Sequence, residues 1–250
     1  MTKALIALFL TLANSDAALA EPSPASAPKM VDVPSGALHL KALLWMPKAS
    51  DPVPAVLFSH GSGGADADHT AGQGPYMHDL LQREEKAHGE AARRHLQFVL
   101  LTTEQLDDVL AALSYLKSAP GIDKRRIALV GHSFGGQLTL LAAGGDSSVR
   151  AVVTFGAAAG SWEHSQELRN RLTAAVRNTS APIMLIHAEN DYSTAAGRAL
   201  ADELERLHRS PVLKIYPPVG QSKDDGHNLL YLAVPTWEND VFGFLDRHVK

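Results

Sequence analysis

Ile127-Ala128-Leu129-Val130-Gly131-His132-Ser133-Phe134-Gly135-Gly136 runs from four apolar residues through G-x-S-x-G into a second apolar stretch, 137–143. A short continuous apolar run reads as a strand buried on both faces, and the stretch after the turn reads as a helix. Strand, tight turn and helix form the context in which this motif sets a serine on a strained turn above the sheet edge. The residues two before and two after such a serine must lack bulk, which is why both are glycine. The helix that begins behind the serine presents its amide-rich end, which favours a developing negative charge. Ser133 is therefore a candidate nucleophile.

Working outward, similar apolar runs recur at 55–59, 149–155, 183–187 and 212–216. Helical stretches lie between them at 135–143, about 166–177 and 194–208, and a last one covers about 235–248. Strands that alternate with helices of this length predict an α/β fold, a mostly parallel doubly wound sheet with helices on both faces. Ahead of it, 31–33 and 37–46 flank Pro34-Ser35-Gly36 and read as a hairpin, with Leu38, Leu40, Leu44 and Met46 on one face. No internal repeat or second boundary interrupts 31–250, so one domain is expected there.

A serine hydroxyl is a weak nucleophile and needs a base, and the base needs a group to orient it. In this context the partners follow in the order Ser, Asp/Glu, His, each after a later strand. Run 183–187 ends in His187-Ala188-Glu189-Asn190-Asp191, which offers Asp191, with Glu189 as the rival. Asp191 is favoured because it lies just before Ser193 and Thr194, which read as caps of the next helix. Run 212–216 leads into the polar loop 217–226 and then His227, the candidate base. After run 55–59 comes His60-Gly61-Ser62-Gly63-Gly64, a glycine-rich turn with accessible amides. The Ser62 and Phe134 N–H groups are candidate oxyanion donors, with Gly63 N–H the alternative to Ser62. His60 and His132 read as structural donors that fix the two turns.

The set HGSGG, GHSFGG, IHAENDYS and DDGHN resembles the α/β-hydrolase superfamily, in its dienelactone-hydrolase-like or serine-carboxylesterase branch, across residues 31–250. The resemblance implies ester hydrolysis through an acyl-enzyme, with Ser133 as nucleophile, His227 as base and Asp191 as its orienting acid. It implies no cofactor and a small-molecule ester or acyl substrate. Dienelactone hydrolases proper use a cysteine nucleophile, and this chain has none, so lactone specificity does not carry over. A serine peptidase or acyltransferase would fit the same motifs. A non-catalytic exported binding protein is the reading from another class, since fold alone does not establish activity.

Composition excludes several other classes. Lys and Arg total 23 against 27 Asp and Glu, a net charge of −4, which lacks the basic excess of a nucleic-acid binder. The absence of cysteine rules out disulfides, thiolate metal sites and a thiol nucleophile. His60, His69, His78, His88 and His95 crowd one stretch, but none form an H-E-x-x-H or an i,i+4 pair, so no metal is expected. Asn178-Thr179-Ser180 matches a glycosylation triplet, which an exported bacterial protein would not use. Residues 1–20 combine Lys3, an apolar run at 4–13 and Ala18-Leu19-Ala20, the three parts of an export signal. That run is about half the roughly 20 residues a spanning helix needs, so no stable membrane anchor is expected once it is cleaved. Residues 21–30 read as a Pro/Ala/Ser tether, and the protein is expected in the periplasm or beyond.

One stretch departs from the superfamily pattern, which has a helix, a parallel strand and a helix between the oxyanion loop and the elbow. Here 65–75 is a short polar loop, and the only strand candidate is 96–101, LQFVLL. Yet Ala92, Leu96, Val99, Thr103, Leu106, Leu110 and Leu113 keep a three-and-four spacing straight through it. The spacing predicts helix over 76–118, bent or broken at Gly89, since an unbroken helix would be about 65 Å long. The sheet would then lack a strand beside 55–59, leaving the hairpin to pair there or sit loosely.

Overall fold

The computed structural model describes residues 27–62 and 74–249, with the backbone alone at 74–79. The expected export signal, most of the tether, and Gly63 with the loop after it lie outside the described residues. Among the described residues, five strands form one parallel sheet in the order β3 (Val53–Ser59), β4 (Ile122–His132), β5 (Val149–Phe155), β6 (Ile183–Ala188) and β7 (Val212–Tyr216). Two strands before them, β1 (Lys29–Ser35) and β2 (Leu38–Leu44), form the antiparallel hairpin.

Alternation along the strands sorts the core into two layers. Ile127 and Leu129 of β4 and Ile183 and Leu185 of β6 face one side, which packs against α3 (Glu104–Ser118), α4 (Phe134–Gly145), α5 (Gln166–Asn178) and α6 (Ala195–Arg206). Ala128, Val130, Met184 and Ile186 face the other, covered by α8 (Leu229–Leu232) and α9 (Val234–Val249). Because every strand runs the same way, all their carboxyl ends open on one edge. The loops bearing Ser62, Ser133, Asp191 and His227 all leave from that edge, where open parallel sheets bind ligands.

Residues 96–101 are not a strand. Helices α1 (Gly74–His88), α2 (Glu90–Leu100) and α3 fill the stretch, and the chain breaks at Gly89, whose φ of 86° suits a residue without a Cβ. A second break at 101–103 was not foreseen. There the Thr103 hydroxyl donates back to the Val99 carbonyl at 2.9 Å, the kind of local bond by which serine and threonine hydroxyls compete with the helical ladder. Among the described residues the sheet accordingly ends at β3. The hairpin neither pairs with β3 nor sits loosely; it packs Val33, Leu40 and Ala42 into the core shared with α3. The Ser35 hydroxyl also donates to Asp108 of α3 at 2.8 Å. Among the described residues no helix is long and apolar enough to cross a membrane.

Candidate active site

Ser133 occupies the turn between β4 and α4 at φ 53°, ψ −116°, a conformation non-glycine residues rarely adopt. Such strain persists only where the surroundings over-determine it. Its N–H donates to the Phe155 carbonyl at 2.8 Å, and the flanking glycines leave no space to relax. A Cβ on Gly131 would come within 2.4 Å of the Gly135 carbonyl oxygen, and one on Gly135 within 2.1 Å of the Ser59 carbonyl oxygen. Both elbow glycines are thus demanded by close approach.

His227 lies at the end of a one-turn helix, α7 (Lys223–His227), inside what the sequence suggested was plain loop. Its start is a capping box: the Ser222 side chain accepts from Asp225 N–H, and the Asp225 carboxylate accepts from Ser222 N–H. Ser-x-x-Asp is readable in sequence and would have revealed the helix. Two residues, Asn190 and His132, fix this segment over the elbow. Asn190 accepts from Val219 N–H at 2.9 Å and donates to the Val219 and Ser222 carbonyls at 2.8 Å each. His132 Nε2 lies 2.8 Å from the His227 carbonyl.

The result is a continuous chain of hydrogen bonds. Ser133 Oγ is 2.8 Å from His227 Nε2, and His227 Nδ1 is 2.7 Å from Asp191 Oδ1. With its proton held on Nδ1 by the carboxylate, the neutral imidazole keeps a lone pair on Nε2 for the serine proton. Asp191 also accepts from Tyr192 N–H at 2.7 Å and, on Oδ2, from His187 Nδ1 at 2.9 Å. Burial pushes the Asp191 carboxyl up, but hydrogen bonds from His187 and His227 outweigh it and hold the group at about 2. It is an anion at neutral pH. Glu189 is exposed, and its N–H pairs with the Tyr216 carbonyl, so position favours Asp191.

Phe134 N–H is the first amide of α4, one of those a helix leaves without an internal acceptor. Gly61 packs so closely that a Cβ on it would sit 3.1 Å from Ser133 Cβ, which brings the Ser62 segment alongside the nucleophile. Ser62, Ser133 and Phe134 line a common cavity of about 670 Å³, while the alternative donor Gly63 lies outside the described residues. One wall of the cavity is α2, with Arg93, Gln97 and Phe98, and Ser161, His164 and Tyr192 also line it. Arg171 of α5 secures that wall: its guanidinium lies 3.7 Å from the Phe98 ring centroid and donates to Thr102 Oγ1 at 2.8 Å. The sequence reading missed Asn190, His187 and Arg171, whose partners are distant in the chain or mean nothing until the fold is known. At the start of α6, Ser193 supplies the side-chain acceptor, from Ala195 N–H at 3.1 Å, rather than Thr194.

Comparison with known proteins gives a consistent picture. Residues 40–222 match the model of the dienelactone hydrolase family. The quorum-quenching protein AidA of Acinetobacter baumannii is 28% identical over 135 residues, covering 51% of this chain and 43% of AidA. Esterase EstD of Thermotoga maritima is 32% identical over 109 residues, covering 40% of this chain and 26% of EstD. The matches thus span less than half of either curated relative. The crystal structure of a dienelactone hydrolase from Anabaena variabilis superposes with a TM-score of 0.59 at 23% identity, over 89% of this chain and 99% of that one, which establishes the shared fold.

Proposed function

The chain belongs to the dienelactone hydrolase family, and from that premise we propose that it hydrolyses carboxylic esters with Ser133 as nucleophile, His227 as general base and Asp191 as the acid that orients it. The observation that carries this reading is the run of hydrogen bonds from Ser133 Oγ to His227 Nε2 and from His227 Nδ1 to Asp191, at 2.8 and 2.7 Å. His227 Nε2 takes the serine proton as Oγ attacks the acyl carbon. The carbonyl oxygen becomes an oxyanion, held by the Phe134 and Ser62 amides. His227 then returns the proton to the departing alcohol oxygen, leaving an acyl-serine. Water, deprotonated by the same imidazole, releases the acid and restores Ser133. No cofactor enters the cycle.

The cavity wall carries polar groups on Arg93, Gln97, Ser161 and His164 beside the apolar Phe98, Leu101 and Leu168. Short or polar acyl groups suit it better than long aliphatic ones. Export to the periplasm is proposed on the pattern of residues 1–20 alone; sequencing the N-terminus of protein recovered from a periplasmic fraction tests it, with Glu21 expected first. The function is tested by a fluorophosphonate probe together with p-nitrophenyl esters of rising chain length. Label on the peptide containing Ser133 and rates that fall with chain length support the reading. Protein that takes no label and turns over no ester would make it a binding protein on the same fold.

A further inference from the structure

His187 is on β6, on the face shared by Ile183 and Leu185 beneath α6, and its side chain is only 1% exposed. An imidazole in an apolar layer is costly unless its polar atoms are paired. Its partner is Asp191, four residues on: Nδ1 lies 2.9 Å from Oδ2, the oxygen His227 does not use. The carboxylate is therefore gripped from both sides, by His227 on Oδ1 and His187 on Oδ2.

Both rings are seated against a glycine. A Cβ on Gly197 of α6 would fall 2.7 Å from His187 Cδ2 and 2.8 Å from its Nε2. Glycine inside a helix is less stable than alanine, so α6 gives up stability where this ring needs space. On the opposite side, a Cβ on Gly156 would fall 3.0 Å from His227 Cε1 and Nδ1, and 3.2 Å from Asp191 Oδ2.

We propose that His187 is a positioning residue for the ester-cleaving site: its Nδ1–H anchors Asp191 Oδ2, so that Oδ1 stays on His227 Nδ1 through the catalytic cycle. The inference rests on the reading of Ser133, His227 and Asp191 as the catalytic set. With only one oxygen tied to a side chain, the carboxylate could swing about its Cβ–Cγ bond and lose the angle His227 requires. Tied at both oxygens, it cannot turn without breaking a buried hydrogen bond. A misplacement of about 1 Å in a supporting group is enough to cost roughly 100-fold in rate.

The test compares His187→Leu, which keeps bulk but has no donor, with His187→Asn, whose side-chain N–H reaches the place of Nδ1. Circular dichroism and thermal unfolding establish that each variant is folded. The readouts are the rate of fluorophosphonate labelling at Ser133 and kcat and KM on p-nitrophenyl acetate. His187→Leu is expected to lower kcat and the labelling rate about 10- to 100-fold with KM within about twofold, and His187→Asn to recover most of the loss. A folded His187→Leu variant with wild-type rates would overturn the proposal, as would equal losses in Leu and Asn. If the Leu variant does not fold, Asn is set against Gln, whose amide reaches the Nε2 position instead; equal rates in these two would overturn it. Wild-type protein that takes no label would instead overturn the serine-hydrolase reading, and this inference with it.

Discussion

The His132 ring reaches from the residue before the candidate nucleophile to the segment that carries its base, with Nε2 2.8 Å from the backbone carbonyl of His227. Burial, reinforced by the neighbouring His227, drives the His132 imidazole down to about 4, so it is neutral at pH 7 and its one N–H points at that carbonyl. In sequence His132 reads as a brace for its own turn. The structure makes it a bridge between two loops 95 residues apart.

Replacing His132 by Leu removes the donor and strands a carbonyl. Such a loss costs about 1–3 kcal/mol, and a loosened His227 should lower kcat on the order of tenfold. Urea unfolding and steady-state kinetics on the same preparation check both numbers.

The His132 shift also sets a pH window. Its folded value, about 4, lies below the ordinary 6.5, so the unfolded chain takes up this proton first. The contribution to stability is complete above about pH 6.5 and is lost as pH falls towards 4, a loss of roughly 3 kcal/mol. Asp191 adds a second window: held at about 2 against 3.8, its contribution disappears between those values. Urea midpoints measured from pH 8 to 3 should fall in the upper window for the wild type, and less steeply for His132→Leu.

Asp191→Asn should reduce kcat by about 10⁴, because an amide presents the wrong partner to His227 Nδ1 and permits the wrong tautomer. Glu189→Gln should change it by less than about threefold, since Glu189 is exposed. Paired measurements of kcat decide between them, and the reverse ranking would transfer the orienting role to Glu189.

What the sequence made legible was whatever is local. G-x-S-x-G with its flanking runs identified the elbow, short continuous apolar runs located the five sheet strands, and three-and-four spacing read 96–101 as helix rather than strand. The order of Ser133, Asp191 and His227 along the chain singled out residues that lie within hydrogen-bond reach. What stayed hidden was tertiary. Asn190 bonds to residues 29 and 32 positions away, and nothing in its neighbourhood announces it. The break after Leu100 depends on threonine hydroxyls bonding backwards, which competes with the helix by a small margin that periodicity does not register. The capping box ahead of His227, Ser222 with Asp225, is local, but in sequence it sits among the polar residues of a loop.

Arg171→Ala should loosen the α2 wall of the cavity. The lost contacts with Phe98 and Thr102 predict a stability decrease of about 1–2 kcal/mol and a KM that rises more than kcat falls. Thermal unfolding and the full Michaelis–Menten curve separate the two effects.

Gly135→Ala tests the packing of the elbow. Its Cβ would lie 2.1 Å from the Ser59 carbonyl oxygen and 2.2 Å from that of His60, both backbone atoms that cannot swing aside. Overpacking of this kind costs about 1–3 kcal/mol or more, and moving β3 would carry the Ser62 amide away from Ser133. A lowered unfolding midpoint with loss of ester hydrolysis is expected.

The most direct measurement of the central claim is the double-mutant cycle of Ser133→Ala and His227→Ala on p-nitrophenyl acetate. Ser133 Oγ and His227 Nε2, 2.8 Å apart, should act as a unit. Each single variant is expected to lower kcat by a factor of about 10⁴ to 10⁶, and the double variant to be no slower than the worse of the two. Losses that multiply in the double variant would show that His227 is not the base for Ser133, and would contradict the account.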